Sequence, residues 1–351
     1  MDELIDKKDE NKNLYSEIPS SYFTPLDETY HFDNERIAAP SLSFYQDGWR
    51  RLRKNKAAVV SMVILLLIIS IEIVSIWYTP HDPNLQNVPH ANLPPRIPHV
   101  NINGFNGKAK ISGEWVDKYE LAHVPHDVNY YFGTDAFGRD LLSRVLAGTR
   151  ISLLIALAAA FFDLLIGITY GLVSGWKGGS VDIIMQRILE IISGIPTLVV
   201  VILMLLFIRP GVTSIIVAMG LTGWITMARV VRAETLKLKD QEFVLAARTL
   251  GESSLNIAVS HILPNLSGII IVQTMFTIPS AIFFEAFLSF IGVGMRAPNA
   301  SLGTLLNEGY KTFRFLPHLM WFPAAAICII MITFNLLADG LRDAFDPKMK
   351  D

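Results

Sequence analysis

Three carboxylates interrupt apolar runs in this chain: Glu72, Asp163 and Glu285. An acid at the centre of a membrane helix costs about 2.5 to 3.5 kcal/mol on insertion scales, so each requires a partner, water or a function. Glu72 falls near the end of its run, where it can reach an interface. Asp163 lies in mid-run and Glu285 toward the end of a later one. Both are candidates to line a polar path through a membrane, against the alternative of hydrogen bonding within a helix bundle. Gln273, Thr277 and Ser280 share one helix face and extend that path toward Glu285.

Catalysis is not expected. The acids form no evident dyad, and neither His-Glu-x-x-His nor Gly-x-Ser-x-Gly occurs. No Gly-x-x-x-x-Gly-Lys-Ser/Thr loop is present, so any ATP must bind to another chain. Five of the eight histidines, His81, His90, His99, His123 and His126, fall between residues 79 and 133. Only His123 and His126 are close in sequence, which makes them polar loop residues rather than metal ligands. Cys328 is the single cysteine and sits in an apolar run, so neither a disulfide nor a thiolate metal site can form within the chain.

The elements that must position these groups follow from hydropathy. Of 351 residues, 51% are hydrophobic and 18% charged, with a mean hydropathy of +0.39, more apolar surface than a soluble core can bury. A span needs about 20 mostly apolar residues. Six runs meet this: 57–78, 151–174, 189–208, a shorter and more polar 213–228, 266–293 and 318–338. An all-α integral membrane protein of about six helices is predicted. Pro196 and Pro279 interrupt the third and fifth runs and permit kinks. Trp224 and Met227 are expected to pack rather than to bind ligand.

Arg50, Arg51, Arg53, Lys54 and Lys56 precede the first run, and no Lys or Arg follows it until Arg96. The positive-inside rule then puts both termini in the cytoplasm. Arg139, Arg144 and Arg150 run against the pattern. The implied organisation is a cytoplasmic tail at 1–56, a first span at 57–78, an external loop at 79–148, five spans within 149–340 and a short cytoplasmic tail at 341–351. The first tail is polar and is expected to be loosely ordered, with scattered aromatics such as Tyr15, Tyr22 and Tyr30. It contains no early apolar run of the signal-peptide kind. Net charge of −2 gives no indication of a nucleic-acid partner.

The cytoplasmic loop within 229–265 is the most informative stretch. Asp240 suits an N-cap, Glu242 the first turn and Arg248 the last. Phe243, Ala247 and Leu250 recur at helical spacing, Gly251 suits a left-handed C-cap, Ser253 or Ser254 can cap a second helix, and Pro264 marks re-entry into the membrane. The predicted shape is helix, glycine turn, helix. Such a hairpin either docks in a groove of a soluble partner, aided by small Ala246 and Ala247, or lies on lipid.

Ala246-Ala247, Gly251 and Leu263-Pro264 resemble the cytoplasmic signature of ABC importer permeases, with Leu245 and His261 departing from its general Glu and Ile. Gly133-Thr134-Asp135, Gly138-Arg139-Asp140, Ser143-Arg144, the run at 285–290 and the ending at 339–347 resemble the C-type permeases of the dipeptide and oligopeptide branch, which also includes nickel importers. That branch carries Ala-Ala-Arg, with His before Ile-Leu-Pro-Asn, as here. The segment 85–130 looks longer than is usual in the family.

The resemblance implies a type I ABC importer permease fold. It implies a second, homologous permease, two cytoplasmic ATPases holding ATP and Mg, and an extracytoplasmic peptide-binding protein as partners. This chain would bind no cofactor itself. Coupling to the ATPases would fall to the 242–264 loop, through Ala246, Ala247, Arg248, Gly251 and Pro264. Peptide import is the implied function. Nickel import is the alternative within the family, and a secondary transporter or channel the alternative outside it.

Overall fold

The computed structural model describes residues 43–111, 113–295 and 298–345. The aromatics of the first tail up to Phe32, Arg296 and the ending from Asp346 lie outside these residues. Among the described residues five helices are long and apolar enough to cross a membrane, and a sixth crossing is made if one bent pair counts as a span.

α1 (Phe44–Lys54) is amphipathic, with Gly48 and Leu52 buried and Arg51, Arg53 and Lys54 in its last turn. Asn55 ends it and caps α2 (Lys56–Val74), its Oδ1 accepting from the Ala58 N–H. α2 is apolar all round, the pattern of a helix facing lipid on one side and protein on the other. It approaches the last helix closely, since a Cβ at Gly340 would lie 2.4 Å from Ala58 Cβ.

The segment after α2 folds as a small subdomain. β1 (Lys108–Ile111) pairs antiparallel with β2 (Glu114–Asp117), an exception to the all-helical expectation. Asp117 then caps the single turn α3 (Lys118–Leu121). Leu93, Tyr119, Val124 and Tyr130 form its core. The histidines are dispersed among separate contacts: His81 stacks on Tyr130 and His90 Nδ1 lies 2.8 Å from the same phenol oxygen. Burial, and secondarily His81, lowers the His90 pKa, so this imidazole is uncharged at neutral pH. Among the described residues no three His, Cys, Asp or Glu side chains converge.

α4 (Leu141–Phe162) begins at Asp140, whose carboxylate accepts from the Ser143 N–H. A π turn (Asp163–Gly167) joins it to α5 (Ile168–Lys177), making one span of 37 residues that starts ten residues before the predicted run. The arginines that defied the positive-inside pattern lie on this helix or just before it and are internal partners. Arg139 pairs with Asp135 at 2.6 Å and Arg144 with Glu308 at 3.1 Å, while Arg150 donates to the Ser75 carbonyl and hydroxyl.

Gly178 and Gly179, both at positive φ, turn the chain into α6 (Gly179–Ser193). α7 (Thr197–Phe207) follows at a bend of 77°, so the predicted run 189–208 is broken rather than straight. Pro196 is the cause: it lacks an N–H and biases its predecessor toward extended backbone. α8 (Val212–Thr222) and α9 (Ile225–Leu238) form one crossing that continues ten residues past the predicted 213–228.

After the short α10 (Glu242–Thr249), α11 (Ser254–Asn256) passes through a second π turn (Ile257–Ile262) into α12 (Leu263–Phe290), again 37 residues without interruption. α12 continues through Pro279. α13 (Leu302–Thr312) is capped by Ser301, and α14 (His318–Phe345) closes the bundle. The largest core lies among α4, α8, α12, α13 and α14. α5 and α9 pack through a glycine row: a Cβ at Gly167, Gly171 or Gly175 would come within 2.4 to 2.8 Å of α9 atoms.

The long α4–α5 helix defines the two ends of the bundle. The subdomain meets its start, where the Leu141 N–H donates to the Gly133 carbonyl. α10 meets its other end, where Arg248 lies 4.5 Å from the Trp176 ring centroid. At about 1.5 Å per residue these ends are about 55 Å apart.

Candidate functional site

Two features stand apart, a docked helix at one end of the bundle and a cavity within it whose largely apolar wall carries several polar side chains. α10 is held by Val244, fully buried, and Ala247. Both enter a cluster with Met227 and Val231 of α9 and Ile257, Ile262 and Leu266. The predicted face of Phe243, Ala247 and Leu250 is therefore corrected. Phe243 is 41% and Leu250 88% exposed, because Leu250 lies past the last turn and Phe243 one residue off the buried stripe. The N-cap is Gln241 rather than Asp240, and its side chain makes no capping bond.

Gly251, at φ +82°, ends α10 as predicted. Its N–H donates to the Arg248 carbonyl and the next N–H, of Glu252, reaches back to the Ala247 carbonyl, the paired bonds of a left-handed C-cap. Ser253 accepts from the Asn256 N–H and so starts the second helix. His261 Nε2 lies 2.8 Å from Glu252 Oε2, which ties the glycine turn to the π turn. Pro264 marks no break. It stands in the first turn of α12, where a missing N–H is tolerated.

Ala246 is on the open side of α10 with Phe243 and Leu245. With Leu250 and Leu255 of the following turn, these side chains leave an apolar surface at this end of the bundle. Trp176, which supports Arg248, could not be found from the loop alone, because it is more than 70 residues away in sequence.

The cavity, of ≈ 390 Å³, lies between α4, α8, α9 and α12. Asp163, Gln273, Thr277 and Ser280 all line it, together with Thr222 and Thr226. Asp163 is 2% exposed and its Oδ2 accepts from the Thr277 hydroxyl at 2.5 Å. Its Oδ1 has no hydrogen-bond partner among the described residues. Glu285 is outside the cavity. One of its oxygens accepts from Ser152 and the other from Ser289, each at 2.7 Å, so it acts as a fully satisfied link between α4 and α12. Glu72 is likewise internal, beside Ser75 and 3.9 Å from Arg150. Trp224 and Met227 are both buried in packing clusters.

Residues 167–351 match the family described as binding-protein-dependent transport system inner membrane component. Residues 43–95 match the N-terminal TM domain of oligopeptide transport permease C. The chain is 48% identical over 325 residues to the dipeptide transport system permease protein DppC of Lactococcus lactis subsp. cremoris, covering 90% of this chain and 94% of the relative. It is 40% identical to the oligopeptide transport system permease protein OppC of Bacillus subtilis, over 95% of this chain and 99% of the relative. In fold it is similar to a chain of the MetNI methionine ABC transporter, with a TM-score of 0.50 and 18% identity over 59% of this chain and 98% of that one. A family match across more than half the chain and near-full-length relatives at these identities lead to one assignment: the chain is a multi-pass membrane permease of the binding-protein-dependent transport system inner membrane component family, in the branch of the C-type dipeptide and oligopeptide permeases.

Proposed function

We propose that this chain is the C-type permease of an ATP-driven importer of dipeptides or oligopeptides. It works beside a second, homologous permease, two cytoplasmic ATPases that bind ATP and Mg, and an external peptide-binding protein. The relatives at 48% and 40% identity are dipeptide and oligopeptide permeases, which favours peptide over nickel as cargo. In this reading both termini and α10 are cytoplasmic, the subdomain is external, and the chain has no ATPase site of its own.

The observation that carries the reading is the split of α10 into two faces. Val244 and Ala247 fasten it to the base of α9 and α12, while Phe243, Leu245 and Ala246 remain open for an ATPase groove. Arg248, pinned on Trp176, Gly251 and Pro264 fix its angle. Movement of the ATPases is passed to α9 and α12, whose far segments wall the cavity, and through α5 to the π turn that carries Asp163. Asp163, Gln273, Thr277 and Ser280 supply the polar surface along which peptide passes.

The test is isolation of the complex through a tag on this chain, identification of its partners, and reconstitution in vesicles with the binding protein. Labelled Ala-Ala should accumulate only with ATP. Uptake at the same rate without ATP or without ATPase subunits refutes the proposal, and accumulation of nickel in place of peptide moves the cargo to the alternative.

A further inference from the structure

We infer that Asp163 is the anchor for the α-ammonium group of the peptide in transit, an assignment that rests on the peptide-importer reading above. Among the described residues Asp163 is the only ionisable one lining the cavity, and the remaining polar side chains there are hydroxyls and one amide. The wall therefore holds one acidic group and no basic one. A zwitterionic peptide entering it has one end, the ammonium, that this acid attracts.

The carboxylate itself is incomplete. A buried acid normally has a cation or a full set of donors, because an unpaired charge in a low-dielectric interior is costly. Asp135 has Arg139, Asp182 has Arg232, and Glu285 has two serine hydroxyls. Asp163 has one donor, Thr277, and leaves Oδ1 bare. That oxygen is buried without a partner, and a Cβ added at Gly223 would stand 3.7 Å from it.

The number of ligands selects the cation. A divalent metal needs about six oxygens, commonly several carboxylates, and no such group converges among the described residues. An ammonium has three donors and one charge. A single bare carboxylate oxygen with nearby hydroxyl acceptors, Thr222 and Thr226 on the same wall, matches it. The α-ammonium is common to all unblocked peptides, so gripping it leaves side chains unread. Asp163 also opens the π turn between α4 and α5, a backbone irregularity that frequently marks a functional site.

The test uses the assembled permease–ATPase complex in lipid nanodiscs without the binding protein, which has its own selectivity. Binding of Ala-Ala and of N-acetyl-Ala-Ala is followed by saturation-transfer NMR at millimolar peptide. The wild type should bind Ala-Ala and discriminate against the acetylated form. Asp163→Asn should weaken Ala-Ala binding about 10-fold, the size expected for a lost charge-assisted hydrogen bond, and abolish the discrimination. Asp163→Glu and Thr277→Val, which keep the charge, should retain it.

The inference is overturned if the wild type binds both peptides equally or neither, or if Asp163→Asn still discriminates. It is also overturned if Thr277→Val loses discrimination as fully as Asp163→Asn, since the bond between the helices would then be what matters. ATP-driven uptake by the wild type separates the two levels of failure. Uptake without Asp163-dependent discrimination removes only the anchor, whereas absence of any peptide uptake removes the importer reading as well.

Discussion

Arg232 grips Asp182 at two points, its Nε and Nη2 each 2.5 Å from a different carboxylate oxygen. Ser174 adds a third bond, its hydroxyl donating to Asp182 Oδ1 at 2.5 Å. These contacts join α9 to α6 and to the end of α5, so the three helices are tied together beside Trp176, on which Arg248 of α10 rests. A bidentate guanidinium–carboxylate pair is geometrically exacting as well as strong.

Breaking this pair should loosen that body. Arg232→Ala leaves Asp182 largely buried without its cation, at an expected cost of about 1 to 3 kcal/mol. Arg232→Lys should restore only part, because an ammonium cannot make both parallel bonds. Thermal unfolding of the purified complex measures this. A double replacement, Asp182→Asn with Arg232→Gln, should cost less than the sum of its two singles.

The glycine row between α5 and α9 allows a sharper steric test. At Gly171 a Cβ would lie 2.4 Å from the Ala228 carbonyl oxygen, a backbone atom that cannot swing aside. Gly171→Ala should destabilise the chain by about 1 to 3 kcal/mol through overpacking and reduce the yield of assembled complex. Gly211→Ala is the matched control, because its nearest contact is 4.0 Å away and its φ of 167° is extended. Equal yields from the two variants would contradict the close helix contact.

Gly251 differs in kind. Its φ is +82° and nothing lies within 4 Å of a Cβ built on it, so a replacement is penalised by backbone conformation alone. Gly251→Val should lower ATP-driven uptake by disturbing the turn, at about 1 to 2 kcal/mol, while Gly251→Asn retains most of it. Peptide binding by the external binding protein should be unchanged in both. Normal uptake by the valine variant would count against a coupling role for this turn.

The two faces of α10 should be separable by mutation. Leu250→Ser alters a side chain that is 88% exposed, so the bundle should keep its stability while less ATPase is recovered with the tagged chain. Val244→Ser buries a hydroxyl among Met227, Val231 and Ile262 and should instead lower the melting temperature. Quantitative co-purification and thermal unfolding, run on both variants, distinguish docking from folding.

Much of this architecture was legible in the sequence, because a membrane span announces itself by length and hydropathy. The helix, the Gly251 turn and the second helix were legible because capping residues carry a local signal. What escaped prediction depended on distance along the chain. Asp163 and Thr277 are 114 residues apart and Glu285 and Ser152 are 133 apart, and no spacing rule reveals that the first pair edges a cavity while the second closes on itself. On α12, Gln273, Thr277 and Ser280 line the cavity, whereas Glu285 lies outside it, where the helix turns into protein. Pro196 signals a kink in the sequence, but nothing local to it gives the 77° of the bend. The hairpin at Lys108–Ile111 and Glu114–Asp117 was missed because its strands are short and mostly polar.

The π turn at Asp163–Gly167 carries a consequence for every residue beyond it. A wide turn of this kind holds one residue more than a regular turn, and each helical residue advances the azimuth by about 100°. The numbering of α5 is thus offset by one residue from that of α4, and with this offset Gly171 and Gly175 face α9. Because the wide turn absorbs its extra residue within about one rotation, it is a single-residue deletion in the regular helix of α5 that would swing the glycines beyond it by about 100° away from their partner, exchanging small side chains for large ones along the seam. In this stretch the count of residues is under tighter control than their identities.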